Sequence, residues 1–261
     1  MESPNLYYEV HGDRGPFLLL VHGLLTSRAQ WLPNLEALME FCRPVVVELF
    51  SHGRSPSPET PESYFPENYT IEFERVRNEI GAERWFVCGQ SLGATLTLLY
   101  SIRHPVSVLA QAFTNSRSAL SDMTQDSFAR SVSNRIKKVG RKVIEDFPYH
   151  PARNRRLPVH IKHAILEDIN LMTIQGFRNT MVYTAQNIRV HKVLSETSVP
   201  TLMIAGRFEK LFTPFIKVAE ECIPNLEVLL VDGGHAVNID AAAQFNQAIR
   251  ALIKSHQGIP S

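Results

Sequence analysis

The sequence has few cysteines, almost no net charge and no long apolar run. Its 261 residues include three cysteines, which lie far apart in or near apolar segments, at Cys42, Cys88 and Cys222. This usage predicts buried thiols in a reducing compartment and gives no sign of a metal site. The formal net charge of +1 gives no general reason to expect binding to nucleic acid or to a membrane surface. No apolar run approaches the length of a membrane span.

The first residues also lack a targeting signal. Met1-Glu2-Ser3-Pro4 has neither the basic nor the apolar region of a secretory signal peptide, so we expect a cytoplasmic protein. With 44% hydrophobic and 20% charged residues, the composition is that of an ordinary globular protein. A chain of this length predicts one domain, or one domain with an insertion.

Short β-rich runs alternate along the chain with helical patterns. Several predicted strands are apolar throughout, which is typical of parallel strands buried on both faces. The alternation predicts an α/β fold with a parallel sheet flanked by helices. Strands are predicted at Tyr7–Val10, Phe17–Val21, Val45–Leu49, Trp85–Cys88, Val108–Thr114, Thr201–Ala205 and Glu227–Val231. Helices are predicted at Leu32–Phe41, Glu67–Ile80, Leu92–Arg103, Phe215–Cys222 and Ala241–Ser255.

One segment departs from this alternation. From about Arg117 to Asn187 the apolar residues have helical spacing and no strand is evident, which predicts a helical cap, or lid, inserted between two core strands. The predicted boundaries are 1–116 and 188–261 for the core and 117–187 for the cap. From Arg130 to His163 there are ten Lys/Arg and two acidic residues, a net charge of +8. This charge favours either a solvated helix face or a cap that attracts anionic substrates.

The segment Gly89-Gln90-Ser91-Leu92-Gly93 stands between a predicted strand and a predicted helix. Gly-x-Ser-x-Gly at such a junction is what a nucleophile elbow requires, because flanking side chains would clash in so tight a turn. The turn exposes the serine hydroxyl at the end of the strand, beside the N-terminus of the next helix. Ser91 is therefore the candidate nucleophile.

A serine nucleophile needs a histidine that accepts its proton and a carboxylate that orients the histidine. Of the ten histidines, His235 has the most suitable setting, because it follows a predicted strand through the flexible turn Asp232-Gly233-Gly234. A loop at this end of a parallel strand lies where active sites of α/β sheets form.

The carboxylate is open to more than one assignment. Glu209 lies in the loop after the predicted strand Thr201–Ala205, at the same edge of the sheet as His235. A surface carboxylate paired with Lys210 or Arg207 would fit this position equally well. Asp232 is committed to the turn, and Asp240 is placed to cap the final helix. The order serine, acid, histidine favours Glu209.

The third requirement is an oxyanion hole. Val21-His22-Gly23-Leu24-Leu25 ends an early strand, and Gly23 permits a sharp turn that aims the Leu24 amide inward. The N–H of Leu92, directly after the nucleophile, is the second expected donor.

With these motifs the chain resembles the α/β-hydrolase superfamily with a helical cap, nearly from end to end. The resemblance rests on His22-Gly23, Ser51-His52-Gly53-Arg54-Ser55, Gly89-Gln90-Ser91-Leu92-Gly93, Pro200 to Pro214 and Gly233-Gly234-His235. It implies a mostly parallel, twisted sheet flanked by helices, with Ser91, Glu209 and His235 as the triad. It also implies Leu24 and Leu92 as the oxyanion donors. The family usually has aspartate at Glu209, glycine at Ser51 and histidine at Gln90, so the loop around Ser51 is expected to differ.

The leading functional interpretation is hydrolysis of a carboxylic ester of a small molecule, without metal or organic cofactor. A serine nucleophile argues against the dehalogenases and epoxide hydrolases of this superfamily, which use aspartate. Ala236 after His235 argues against plant-type hydroxynitrile lyases, which have lysine there. Thioester, lactone and diketone carbon–carbon cleavage stay open, as does a small-molecule receptor with little turnover.

The sequence also offers candidates for the walls of a substrate pocket. These candidates are Leu25, Phe113 and Phe208, with Trp31 as a further aromatic residue. Each of the aromatic residues is more typical of a protein core than of a pocket wall. The oligomeric state is not indicated by the sequence.

Overall fold

In the computed structural model, residues 5–121, 126–185, 187 and 190–258 are described, with the backbone alone for 126–130. Seven strands among these residues form one sheet in the order β1-β3-β2-β4-β5-β6-β7. Edge strand β1 is antiparallel to β3, and every other neighbouring pair is parallel. The strands are β1 Tyr8–Val10, β2 Phe17–Val21, β3 Arg43–Val47, β4 Trp85–Gln90, β5 Val108–Thr114, β6 Thr201–Gly206 and β7 Leu226–Val231.

Helices cover both faces of this sheet. Before β5 the helices are α1 Leu32–Met39, α2 Pro66–Glu79 and α3 Leu92–Arg103; after β6 they are α9 Thr213–Cys222, α10 Val237–Asp240 and α11 Ala242–His256. One apolar cluster joins alternate sheet residues such as Leu19 and Val87 to α2, α3 and α9. A second cluster joins the intervening residues, such as Leu20 and Phe86, to α1 and α11. Because side chains alternate along a strand, a two-sided core requires the uninterrupted apolar runs that the sequence shows.

The segment between β5 and β6 is helical in its described part. It contains α4 Arg117–Leu120, α5 Asp126–Val139, α6 Lys142–Glu145, α7 Val159–Leu171, α8 Ile174–Asn179 and a π-helical turn at Thr180–Thr184. We refer to these elements as the inserted helices. They have their own apolar cluster, which includes Phe147, Ile165 and Phe177 and extends onto Leu25 and Ile239 of the sheet region. The inserted helices therefore pack on the sheet region through apolar contacts.

The predicted fold class is confirmed, whereas some element boundaries differ. Strand β3 ends at Val47 and not at Leu49, because Glu48 and Leu49 already belong to the loop at the carboxyl edge of the sheet. The cysteines are free thiols, buried at Cys42 and Cys88 and partly buried at Cys222. Burial raises the pKa of the Cys42 thiol to about 12, so this thiol is protonated at neutral pH.

Candidate active site

The carboxyl ends of five neighbouring strands meet at one edge of the sheet. The register that brings them together pairs Val21 with Gly89, Gln90 with Thr114, and Gly206 with Val231. The loops that follow these strands therefore lie side by side. They contain residues 22–25, Ser91, residues 115–116, residues 207–209 and residues 232–235.

Ser91 connects β4 to α3 with an unusual backbone conformation. Its φ of 52° and ψ of −112° are rare for a residue with a side chain, and such a conformation costs about 1–3 kcal/mol. A Cβ at Gly89 would overlap the backbone of Gly93, and a Cβ at Gly93 would overlap the carbonyl oxygen of Val21. The close approach of strand, turn and helix therefore requires glycine on both sides of the serine.

Two hydroxyl groups hold the carbonyl of Ser91. Ser116 Oγ donates to Ser91 O at 2.7 Å, and Thr95 Oγ1 donates to the same oxygen at 3.3 Å. The two hydroxyl oxygens are 2.8 Å apart. Both side chains are buried, so water does not compete for the carbonyl and the strained turn is fixed on that side.

The imidazole of His235 is bound to a carboxylate. Nδ1 of His235 and Oε1 of Glu209 are 2.8 Å apart. A carboxylate on Nδ1 favours the proton on that nitrogen and leaves Nε2 as the acceptor. Within the described residues, neither Ser91 Oγ nor His235 Nε2 makes a hydrogen bond. The structure thus brings His235 and Glu209 together, and among the described residues it places Ser91 at the same edge without a hydrogen bond from its hydroxyl to either side chain.

The other two candidate carboxylates have different partners. Asp232 Oδ1 lies 2.8 Å from Nε of Arg207 in an exposed ion pair. Asp240 Oδ2 accepts a hydrogen bond from Gly234 N at 2.8 Å and so fixes the turn before His235. The expectation that Asp240 caps the final helix is wrong, because Ala241 is the N-cap residue of α11.

Two amide side chains fix the main chain around His235. Gln90 Nε2 donates to His235 O at 3.2 Å. Asn115 Nδ2 donates to Gly234 O at 2.8 Å, while its Oδ1 accepts from Gly206 N at 3.2 Å. The histidine loop is thereby attached to β4, β5 and β6 at once.

Asn115 and Ser116 are the residues that sequence reasoning missed. They directly follow the apolar strand β5, which lies between the strand of the elbow and the strand that leads to Glu209. A polar pair at the carboxyl end of a central strand was the available signal. Neither residue type belongs to a triad, so a search for triad members passes over the pair.

The turn after β2 lies against the elbow. A Cβ at Gly23 would stand 3.3 Å from Ser91 Cβ and would overlap Gln90 Oε1. Within the described residues, Leu24 N makes no hydrogen bond. Leu92 begins α3, and the first N–H groups of a helix have no acceptor inside it. Both amides can therefore donate to a bound group.

Two buried histidines stabilise this turn. His22 Nε2 accepts from Leu49 N at 3.0 Å, and its Nδ1 donates to Gly23 O at 2.7 Å. His52 Nε2 accepts from Leu25 N at 3.3 Å. Burial lowers the pKa of His22 to about 3 and the pKa of His52 to about 4. Both rings are therefore neutral at neutral pH, as their acceptor role requires.

The predicted pocket residues have different surroundings. Leu25 is buried, has a left-handed φ of 55°, and packs into the cluster of the inserted helices. Phe113 and Trp31 are fully buried in the two clusters of the sheet region. Phe208 is 52% exposed, and the guanidinium of Arg156 lies 5.6 Å from its ring centre. A role in substrate binding stays a prediction for all of them.

Ser51 occupies the position where the resemblance leads one to expect glycine. Its φ of 66° lies in the left-handed region that glycine adopts most readily. Its hydroxyl forms a 2.6 Å hydrogen bond with Tyr64 Oη, and a Cβ at Gly176 of α8 would overlap that hydroxyl. The serine thus keeps a glycine-like backbone and contacts the inserted helices.

A buried ionic cluster connects the sheet region to α7. Ser27 Oγ donates to Asp168 Oδ2 at 2.6 Å, and Arg54 Nη1 lies 3.4 Å from Asp168 Oδ1 and 3.3 Å from Glu48 Oε1. Burial raises the pKa of the Glu48 carboxyl, and the nearby Asp168 charge acts in the same direction. Arg54 therefore compensates two buried carboxyl groups that lie in different parts of the fold.

Metal-binding and membrane-spanning features are both absent from the described residues. No group of three or more His, Cys, Asp or Glu side chains there could hold a metal ion. No helix in that part of the chain is both long enough and apolar enough to cross a membrane.

Comparison with known proteins agrees with this arrangement. A family model described as "alpha/beta hydrolase fold" matches residues 16–154, more than half of the chain. The chain belongs to the α/β-hydrolase family. The resemblance inferred from the motifs is confirmed, and the protein is a hydrolase of this family.

Individual relatives are distant but match along most of the chain. A Stutzerimonas stutzeri protein named "Putative carbamate hydrolase RutD" is 25% identical over 257 residues, covering 94% of this chain and 95% of its own. A Bacillus subtilis protein named "Uncharacterized carboxylesterase nap" is 22% identical and covers 95% of this chain and 82% of its own. The structure of the enol-lactonase from Burkholderia xenovorans LB400 superposes with a TM-score of 0.81 at 18% identity, covering 95% and 96% of the two chains. This last likeness shows the fold alone.

Proposed function

We propose that this α/β-hydrolase is a serine hydrolase that cleaves a carboxylic ester of a small molecule through an acyl-enzyme intermediate. Ser91 is the nucleophile, His235 the general base and acid, and Glu209 the group that orients His235. The amides of Leu24 and Leu92 donate to the oxyanion. Loss of one such donor typically costs about 3 kcal/mol of transition-state stabilisation.

The reaction has two balanced halves. Ser91 Oγ forms a bond to the ester carbonyl carbon while its proton passes to His235 Nε2. The bond to the alcohol oxygen then breaks, and His235 returns the proton to the departing alcohol. Water repeats these steps on the acyl-enzyme, releasing the acid and restoring the serine.

One observation carries the proposal: the 2.8 Å contact between His235 Nδ1 and Glu209 Oε1 lies at the sheet edge where Ser91 occupies a strained, glycine-flanked turn. A triad requires a carboxylate on that nitrogen, and here the acid and the histidine come from the loops after the neighbouring strands β6 and β7. The approach of the Gly23 turn to Ser91 supports the oxyanion assignment.

The test is labelling with a fluorophosphonate, followed by mass mapping of the modified residue. We expect modification at Ser91 that is lost in Ser91→Ala and strongly slowed in His235→Ala. Turnover of a short-chain p-nitrophenyl ester should fall by about 10³-fold or more in either variant, because triad residues act as a unit. Modification of another residue, or none in a folded sample, would contradict the proposal and favour a ligand-binding role.

A carbamate is the second candidate substrate, because a relative that is 25% identical over 94% of this chain has a name that refers to carbamates. The same serine would attack the carbamate carbonyl and form a carbamoyl-enzyme in place of the acyl-enzyme, so the two substrates differ in the group that stays on the serine. The two substrate classes are distinguished by comparing the hydrolysis rates of an ester and a carbamate that have the same p-nitrophenol leaving group. Thioesters and lactones belong in the same screen.

The division of the chain forms part of this proposal. Residues 117–187 would act as a cap over a core of 1–116 and 188–261, and the +8 charge between Arg130 and His163 would favour an anionic substrate. The burial of Leu25 against the inserted helices, directly after the Leu24 amide, supports a position of the cap beside the proposed oxyanion donor. We place this activity in the cytoplasm, on the composition alone.

A further inference from the structure

Asn115 lies at a junction that the proposed triad depends on. Strand β5 lies between β4 and β6, so Asn115 follows the strand between the elbow and the acid loop. Its Oδ1 accepts from Gly206 N at 3.2 Å, and its Nδ2 donates to Gly234 O at 2.8 Å. Nδ2 also lies 3.5 Å from His235 O. One side chain therefore connects the loops that carry both Glu209 and His235.

The burial of Asn115 makes this connection specific. The residue has no exposed surface, and a buried amide is tolerated only where its donors and its acceptor find partners. Both ends of the amide bind main-chain groups, whose positions do not depend on side-chain rotamers. The amide thus adds a link of fixed length to the direct backbone bonds between the two loops, such as that from Phe208 N to Gly233 O at 3.0 Å.

Ser116 performs the matching task on the nucleophile side. Its buried hydroxyl donates to Ser91 O at 2.7 Å, while its neighbour Asn115 holds the histidine loop. Two consecutive residues after β5 thus fix the two halves of the proposed triad relative to the same strand.

We propose that Asn115 is a positioning residue that holds His235 in register with Glu209 and, through the adjacent Ser116, with Ser91. The inference rests on the proposed function. A displacement of about 1 Å between reacting groups can lower a rate by about 10²-fold, so a residue that touches no substrate can still govern turnover.

The variants Asn115→Asp and Asn115→Ala separate the two roles of the amide. Aspartate keeps the acceptor for Gly206 N but loses the donor to Gly234 O and His235 O. We expect both variants to lower kcat for a p-nitrophenyl ester by about 10- to 100-fold, with a much smaller change in KM. The aspartate variant has the size of the native residue and carries the test if the alanine variant does not fold.

Gln111→Glu is the matched control. Gln111 is a buried amide on the same strand, and its Nε2 donates to Thr201 Oγ1 at 2.9 Å, outside the proposed site. This variant measures how far a buried carboxyl group on β5 lowers kcat when it lies outside the proposed site. We expect its kcat to stay near that of the native protein.

A second measurement does not depend on turnover. The proton between His235 Nδ1 and Glu209 should give a low-field ¹H NMR signal, assigned by its absence in His235→Ala. We expect this signal to be lost or shifted in both Asn115 variants and kept in Gln111→Glu and in Ser116→Ala, which alters the Ser91 side only. A native-like signal together with native-like kcat in both Asn115 variants would overturn the inference. If the native protein neither turns over esters nor reacts with a fluorophosphonate, the proposed function fails, while the NMR signal still decides the role of Asn115.

Discussion

At the residue scale, the hydrogen-bond partners distinguish carboxylates that have similar places in the sequence. Glu209, Asp232 and Asp240 all lie near His235 at the carboxyl edge of the sheet. The three carboxylates have different partners. Glu209 binds the imidazole, Asp232 pairs with Arg207, and Asp240 binds the Gly234 amide. The longer side chain of glutamate therefore reaches His235 Nδ1 from the loop after β6, where the resemblance leads one to expect aspartate.

Glu209→Gln should lower kcat strongly while leaving the fold intact. The amide has nearly the size of the carboxylate but no charge to stabilise the imidazolium, and it can donate to Nδ1 and so favour the wrong tautomer; the matching change in a serine protease triad lowers kcat by about 10⁴-fold. Asp232→Asn is the control, because an exposed ion pair contributes only about 0–1 kcal/mol, and its kcat should not change. Ester turnover and the rate of fluorophosphonate labelling measure both. A Glu209→Gln variant of native activity would transfer the acid role to another carboxylate.

At the element scale, the sequence predicts strands well and loop contacts poorly. Apolar runs such as Phe17–Val21 predict buried parallel strands, and β2 has these bounds. The elbow was predictable too, since its Gly-x-Ser-x-Gly pattern lies within one short segment, although the need for glycine at position 93 comes from the distant backbone of Val21 and His22. The roles of Asn115 and Ser116 were not, because they depend on the register that places β5 between β4 and β6. A single sequence carries no information about that register until the sheet is built.

Gly93→Ala tests whether the packing of α3 on β2 fixes the elbow. In a helix, alanine is favoured over glycine by about 0.8–1.0 kcal/mol, so propensity alone predicts stabilisation. A Cβ at Gly93 would overlap the carbonyl oxygens of Val21 and His22, and overpacking of this kind costs about 1–3 kcal/mol. Because the obstacle is backbone, we expect lower stability in urea unfolding and loss of activity through movement of the Leu92 amide.

Gly81→Ala is the comparison for this element. Gly81 follows α2 with a φ of 69°, and a Cβ there would have no heavy atom within 4 Å. The substitution therefore adds left-handed strain of about 1–2 kcal/mol and no overlap. We expect a loss of stability with unchanged kcat. A Gly93→Ala variant that is as stable and active as the native protein would show that α3 can move away from β2 freely.

At the scale of the whole molecule, two kinds of contact attach the inserted helices to the sheet region. The apolar cluster extends onto Leu25 and Ile239, and the ionic cluster connects Asp168 of α7 to Ser27 and Arg54. The sequence predicted helices here and a net positive charge, but the buried acid is a feature of the tertiary structure. In the sequence, Asp168 stands next to a second acidic residue, Glu167. Glu167 is exposed and Asp168 is buried, and this difference follows only from the fold.

Asp168→Ala should loosen the inserted helices more than the sheet. The substitution leaves Ser27 without its acceptor and Arg54 with Glu48 as its remaining partner, and breaking a buried ion pair typically costs about 3–5 kcal/mol. Since the Arg54 side chain is 36% exposed, we expect about 2 kcal/mol, seen as faster amide hydrogen exchange in α7 than in β2 or β4. Glu167→Ala, which removes an exposed carboxylate paired with His163 at 3.5 Å, should leave exchange unchanged. If α7 exchanges equally in the two variants, the other contacts, such as the apolar cluster and the hydrogen bond from Thr184 Oγ1 to Tyr64 O, hold the inserted helices, and the ionic cluster has no part in closing the proposed pocket.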